Sequence, residues 1–175
     1  MKWLKAAGVG ALGSLIMLIL IFLGSRITSF SPFNLDPSVA FLKIWDLNHI
    51  QSLVTATHFG YGIVWSLAFV AMFGPEMNVA KGVGLALVLW LVMMAVYSPL
   101  IGWGLFGFGA KATYFPDSRS IFFVLPIKYL VGTLILHVVY GLIIGRVNPL
   151  WIRVEHDSDR PRPEISITGH VKQPH

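Results

Sequence analysis

The chain has 175 residues, of which 55% are hydrophobic and 12% are charged, and its mean hydropathy is +0.72. A soluble globular domain carries about 25% charged residues, so this composition excludes that class and predicts an integral membrane protein. Cysteine is absent, which excludes disulfides, iron–sulfur clusters and thiolate zinc sites. The formal net charge of +5 is explained by basic residues that set membrane orientation and contact lipid headgroups, and no nucleic-acid partner is expected.

Four apolar stretches are long enough to cross a bilayer, which takes roughly 20 helical residues. The predicted spans are residues 6–23, 50–73, 82–100 and 127–144. Together they make a transmembrane domain over residues 1–147, and the expected fold is an all-α integral membrane four-helix bundle. Lys2 and Lys5 precede the first stretch as in a signal peptide, but its length and the absence of a clean cleavage site favour a retained span.

The first loop, residues 24–49, is long and amphipathic. Asp36 followed by Pro37 is typical of a helix N-cap and first helical position. Apolar residues follow, which predicts a short helix lying in the membrane interface. These residues are Phe41, Leu42, Ile44 and Trp45.

Glycine and proline mark the later connections. Gly74-Pro75-Glu76 predicts a tight turn between the second and third spans. The segment Gly102–Gly107 matches the dinucleotide pattern G-x-G-x-x-G, but it follows a membrane helix and not a strand, so a dinucleotide site is not expected. An aromatic belt at the outer interface is the better interpretation of this loop. Its aromatic residues are Trp103, Tyr114 and Phe115.

Residues 148–175 form a predicted polar cytoplasmic tail, because mixed charges and prolines are typical of a segment that stays disordered without a partner. Orientation depends on basic residues near the span ends. Eight of the 13 basic residues lie on the side of the two termini when the distal tail is counted, and near the span ends each side carries five. We therefore expect both termini in the cytoplasm.

Two segments of the apolar runs are alike. His58–Gly62 and His137–Gly141 both read His-x-x-Tyr-Gly, and Gly-Val-Gly opens both the first span, at Gly8, and the third, at Gly82. These matches favour a 2+2 internal repeat whose halves cross the membrane in the same sense, as in parallel-repeat transporters. The second and fourth spans would then run parallel and carry the two histidines at similar depth.

An ionisable side chain inside a membrane is costly unless it has a partner, so His58 and His137 are candidate site residues. One reading is structural, with each imidazole hydrogen-bonded to a neighbouring helix. A second is paired axial ligation of haem b by His58 and His137, with Tyr61 and Tyr140 around the ligands. A third is a short path for protons or a small solute. A copper or zinc site lacks further ligands, and no catalytic residue or dedicated metal site is predicted.

The motifs at His58–Gly62, Gly84–Leu91, Pro99–Gly107 and His137–Gly145 together resemble small four-span bacterial inner-membrane proteins of unknown function, YagU-like in appearance. The resemblance implies a multi-pass protein of the bacterial inner (plasma) membrane. It implies no reaction. The sequence therefore favours a non-catalytic accessory or assembly subunit of a larger membrane complex, with a respiratory or other redox complex as the expected partner. The alternatives are a haem- or metal-binding redox protein and a small transporter.

Overall fold

The structure is a computed structural model, and it describes residues 1–27, 38, 42, 44–47, 50–109 and 124–158. These residues contain four helices that are long and apolar enough to cross a membrane, and they contain no strand. The expectation of a helical multi-pass membrane protein is therefore confirmed. The four helices are α1 (Lys2–Ile27), α2 (Gln51–Phe73), α3 (Val79–Val92) and α4 (Val124–Ser158).

The third span continues beyond α3 through a π-helical turn, Met93–Tyr97, and one α-helical turn, Ser98–Leu100. The wider turn has a cause in the sequence, because Pro99 has no N–H to donate to the preceding turn. The Ser98 N–H donates to the Met93 carbonyl, which is the five-residue spacing of a π-helix. The helix is thus locally wider just before Pro99, and the apolar span reaches Leu100.

The fourth helix extends beyond the predicted span and continues to Ser158. Part of the predicted tail, residues 148–158, is therefore helical even though Pro149 lies inside it. Helix α1 contacts the first part of this extension, at Trp151. The Lys5 ammonium donates to the Trp151 carbonyl at 3.3 Å, and the Trp151 ring lies where a side chain at Gly8 would meet it. Residues 159–175 lie outside the described residues.

Two antiparallel helix pairs make up the bundle, α1 with α2 and α3 with α4, and α1 also packs along α4. Both pairs cross at glycines. A Cβ atom built at Gly10 would lie 2.7 Å from the Ile63 Cα, and one built at Gly82 would lie 2.7 Å from the Gly145 Cα. Backbones can approach this closely only where side chains are absent. By contrast, α2 and α3 make few direct contacts although a short turn joins them.

A single apolar cluster joins all four helices toward the end of the bundle that holds the N-terminus. Its buried residues include Val9, Phe69, Leu89, Tyr140 and Ile144. A second, smaller cluster lies at the opposite end and contains Met94, Ile101, Trp103 and Tyr129.

Trp103 does not lie in an interfacial belt, contrary to the sequence-based interpretation, since it is only 6% exposed. The loop folds back on itself here, because Gly102 and Gly104 adopt positive φ angles that most residues avoid. The Gly109 N–H then donates to the Trp103 carbonyl at 2.7 Å. The other predicted belt residues, Tyr114 and Phe115, lie outside the described residues.

The predicted interfacial helix falls mostly outside the described residues, including Asp36, Pro37 and Phe41. Of the part that is described, Leu42 is helical and buried, and residues 44–46 form a turn. Ile44 and Trp45 are more than half exposed, so the interfacial helix stays a prediction.

Candidate functional site

The His58 imidazole belongs to the contact between α2 and α1. Its Nε2 lies 3.0 Å from the Ser14 carbonyl oxygen, and the Ser14 hydroxyl donates to the His58 carbonyl at 3.4 Å. Because a carbonyl can only accept, Nε2 carries the proton and donates. The neighbouring crossing of Gly10 and Gly62 holds the two helices close enough for this reciprocal pair. His58 therefore has a structural partner on α1.

His137 lies in a different environment, on α4. It is 6% exposed, and its Nδ1 lies 2.8 Å from the carbonyl of Thr133, one turn earlier in the same helix. The Nδ1 proton is donated to that carbonyl, so Nε2 carries a lone pair. Nε2 is buried and has no hydrogen-bond partner among the described residues. His137 is thus held in one tautomer with its second nitrogen unused.

The two imidazoles face different helix interfaces. On α4, the residues one turn either side of His137 are Thr133 and Gly141, and both contact α3. Thr133 accepts a hydrogen bond from the Trp90 indole at 3.1 Å, and Gly141 packs on Gly82. His137 therefore lies on the side of α4 that faces α3, whereas His58 faces α1. No contact among the described residues joins the two histidines.

Their depths nevertheless correspond. The Tyr140 hydroxyl donates to the Gly62 carbonyl, and the Asn148 amide donates to the Ser66 hydroxyl. These contacts pair α2 with α4 at sequence separations of 78 and 82. The separation of the two histidines lies between these values, so parallel helices place them at similar heights.

The two tyrosines of the repeated motif also differ. Tyr140 is 2% exposed, and its ring packs where a Cβ at Gly13 would clash with it. Its hydroxyl reaches Gly62, so a single side chain connects α1, α2 and α4. Tyr61 is 42% exposed and makes an edge contact with Trp65 on its own helix. The repeated sequence therefore produces one interior tyrosine and one that faces outward.

A third polar position, at the junction of α1, α2 and α4, was not predicted from the sequence. Asn148 is fully buried, and its amide donates to the Ser66 hydroxyl at 3.1 Å. Ser66, equally buried, donates to the Ala6 carbonyl at 2.7 Å. The Asn148 amide oxygen has no partner among the described residues. The only signal was an uncharged polar residue among apolar ones, and Pro149 beside it suggested the start of a tail.

As a candidate axial ligand of haem iron, His137 fits better than His58. The His137 arrangement, with Nδ1–H bound to a carbonyl and Nε2 unused, is typical of metal-ligating histidines. The Nε2 of His58 is already bonded to Ser14, so ligation through that nitrogen requires this bond to break. The described residues contain no group of three or more potential metal ligands of the histidine, cysteine or carboxylate type.

Comparison with protein-family models, curated proteins and solved structures finds no match for this chain. The resemblance to small four-span bacterial proteins therefore stays a prediction. The geometry shows a bundle whose polar side chains mostly bond to backbone carbonyls and hydroxyls of neighbouring helices. Three buried side-chain atoms have no hydrogen-bond partner among the described residues: His137 Nε2, Asn148 Oδ1 and Trp103 Nε1.

Proposed function

We propose that this protein is a non-catalytic accessory or assembly subunit that packs against a larger complex in the bacterial inner membrane, with both termini in the cytoplasm. A respiratory or other redox complex is the expected partner. One observation carries the proposal: Gly60 and Gly84 face away from the neighbouring helices, and a side chain at either position would meet no atom of the described residues within 4 Å.

The outward glycines contrast with those inside the bundle. A Cβ at Gly10, Gly62, Gly82, Gly141 or Gly145 would lie closer than 3.0 Å to a neighbouring helix, so each of these glycines serves a helix crossing. Glycine inside a helix costs about 1 kcal/mol relative to alanine, and at an inner position close packing offsets that cost. Gly60 and Gly84 have no such compensation among the residues that the structure describes.

Each outward glycine follows an exposed alanine by one turn. Ala56 precedes Gly60 on α2, and Ala80 precedes Gly84 on α3. Small residues four apart let a second membrane helix approach closely, and this pattern is enriched at transmembrane interfaces. A helix of another subunit lying on these faces would provide the close packing that the described residues do not provide at Gly60 and Gly84.

The paired crossings also support the proposed 2+2 repeat. Gly10 meets Gly62 in the first pair, and Gly82 meets Gly141 in the second. If the two Gly-Val-Gly motifs are aligned by sequence, Gly10 corresponds to Gly84, one of the outward glycines. If the two helix pairs are aligned by their contacts, Gly10 corresponds to Gly82. We infer that the halves correspond with a shift of two residues in their first helices, which leaves Gly84 available for an external contact.

The test uses Gly60→Ile and Gly84→Ile, with Val131→Phe as the control because it adds comparable bulk to a lipid-facing position of α4. After purification in a mild detergent, the wild type should migrate on native gels at a mass above its own, with a partner of fixed stoichiometry. The glycine variants should lose that partner and keep their thermal stability. A wild type that purifies as a stable monomer, or glycine variants that retain the partner as the control does, refutes the proposal.

The second candidate is a haem-binding redox protein, and the unused Nε2 of His137 is the observation that favours it. When bound, haem would supply one-electron redox chemistry, while this chain would hold the His137 ring in place through Thr133. Purified protein should then show a Soret band that His137→Ala abolishes. If His58 is the opposite ligand, His58→Ala abolishes it too. A colourless protein that takes up no added haem refutes this candidate.

A further inference from the structure

A shallow groove of about 500 Å³ runs along the outer surface between α3 and α4. Its lining consists of apolar side chains and one cation: Val79, Leu142, Ile143, Val147 and Arg146. The glycine crossing explains why the groove exists. Gly82 and Gly145 bring the two backbones into contact without side chains of their own, so neither residue fills the space beside the crossing.

We propose that this groove binds one anionic glycerophospholipid, with the phosphate on Arg146 and an acyl chain on the apolar residues. The order of the residues along α4 fits such a molecule. Leu142 and Arg146 are one turn apart, as are Ile143 and Val147, so each pair spans about 6 Å along the helix axis. The apolar part therefore continues from the guanidinium toward the middle of the membrane, in the direction that an acyl chain takes.

The groove also lies at the right depth for a headgroup. Val79 begins α3 directly after the polar turn at Gly74–Glu76, and the Glu76 side chain is 79% exposed. This turn marks the level at which the bundle leaves the apolar part of the membrane. Arg146 lies beside Val79 in the groove, so its guanidinium is at headgroup level.

Charge favours an anionic lipid over a neutral one. Arg146 is exposed and pairs with no acidic side chain among the described residues, because the Glu76 carboxylate is bonded to Lys81. Lys2 and Lys5 lie at the same end of the bundle as Arg146, which adds to the positive potential there. A basic residue near the membrane surface attracts anionic lipid by about 1 kcal/mol, and a guanidinium matches a phosphate in a bidentate manner.

Native mass spectrometry from mixed micelles of phosphatidylglycerol and phosphatidylcholine tests the proposal. The wild-type protein should retain one phosphatidylglycerol in preference to phosphatidylcholine. Arg146→Gln should weaken that binding about fivefold, whereas Lys2→Gln, which removes the same charge away from the groove, should change it by less than about twofold. Leu142→Trp should fill the apolar part of the groove and reduce retention of both lipids, with Arg146 unchanged.

Several outcomes overturn the proposal. Equal retention of the two lipids removes the role of charge, and equal effects of Arg146→Gln and Lys2→Gln remove the role of the groove. Displacement of the lipid by inorganic phosphate alone shows that the site takes a free anion and that the acyl chain contributes nothing. Unchanged binding in Leu142→Trp, with the variant folded by thermal unfolding, leads to the same conclusion.

Discussion

Replacing Gly82 by alanine tests whether the glycine crossings hold this bundle together. A Cβ at Gly82 would lie closer than 3.0 Å to three backbone atoms of α4, among them the Gly145 Cα at 2.7 Å and the Gly145 nitrogen at 2.8 Å. No flexible side chain is available to move aside, so α3 and α4 must separate. Overpacking costs about 1–3 kcal/mol, and the rigid surroundings place this case near the upper end. Alanine regains about 1 kcal/mol of helix propensity, which leaves a net loss of about 2 kcal/mol.

Gly84→Ala is the matched control, because it lies two residues along the same helix and has open space around it. It gains the propensity of alanine without a clash, so it should stabilise the protein by about 0.5–1 kcal/mol. Thermal unfolding in detergent, or unfolding by added sodium dodecyl sulfate, should therefore rank Gly84→Ala above the wild type and Gly82→Ala well below it. If Gly82→Ala is as stable as Gly84→Ala, the close approach of α3 and α4 is not what stabilises the bundle.

Two further predictions concern single side chains and topology. Tyr140→Phe should lower the free energy of unfolding by about 0.6–2 kcal/mol, because it removes the interior hydroxyl that donates to the Gly62 carbonyl. Tyr61→Phe, on an outward side chain, should change stability little, and equal effects in the same unfolding assay would contradict the placement of the two rings. For topology, reporter fusions after Gly74 and after Arg153 should both report cytoplasm and a fusion near Asp117 the opposite side. If the fusions after Gly74 and Arg153 report cytoplasm, a cytoplasmic signal at Asp117 as well would rule out four crossings.

The spans were predictable because crossing a bilayer requires a long apolar stretch, and such a stretch is visible directly in the sequence. The matched depth of His58 and His137 also followed from the sequence, since two parallel helices with aligned motifs carry equivalent residues to equivalent heights. The partner of each histidine did not follow. That depends on which face of the helix meets which neighbour, and in a membrane both the lipid side and the interior are apolar, so the hydrophobic pattern does not distinguish the faces.

Which glycines lie at helix crossings could not be predicted from the sequence, for a related reason. Gly82 and Gly84 belong to the same Gly-Val-Gly motif, yet one is at a crossing and the other faces outward. Asn148 illustrates a second limit. It directly precedes Pro149, and a proline normally ends a helix, whereas α4 continues through this position to Ser158. Only the packing of α1 against this segment shows that the helix persists.

The weak contact between α2 and α3 has a consequence for how the chain is made. Helices α1 and α2 are the first two in the chain and contact each other closely, so we expect this pair to assemble first during translation. Helix α3 has little to bind on α2, and its partner α4 begins only at Val124. We therefore expect α3 to be inserted before its partner, with Gly82 in contact with lipid or with the insertion machinery until α4 is inserted. We therefore expect the two helix pairs to form in succession, and a chain truncated before Val124 lacks the partner of α3.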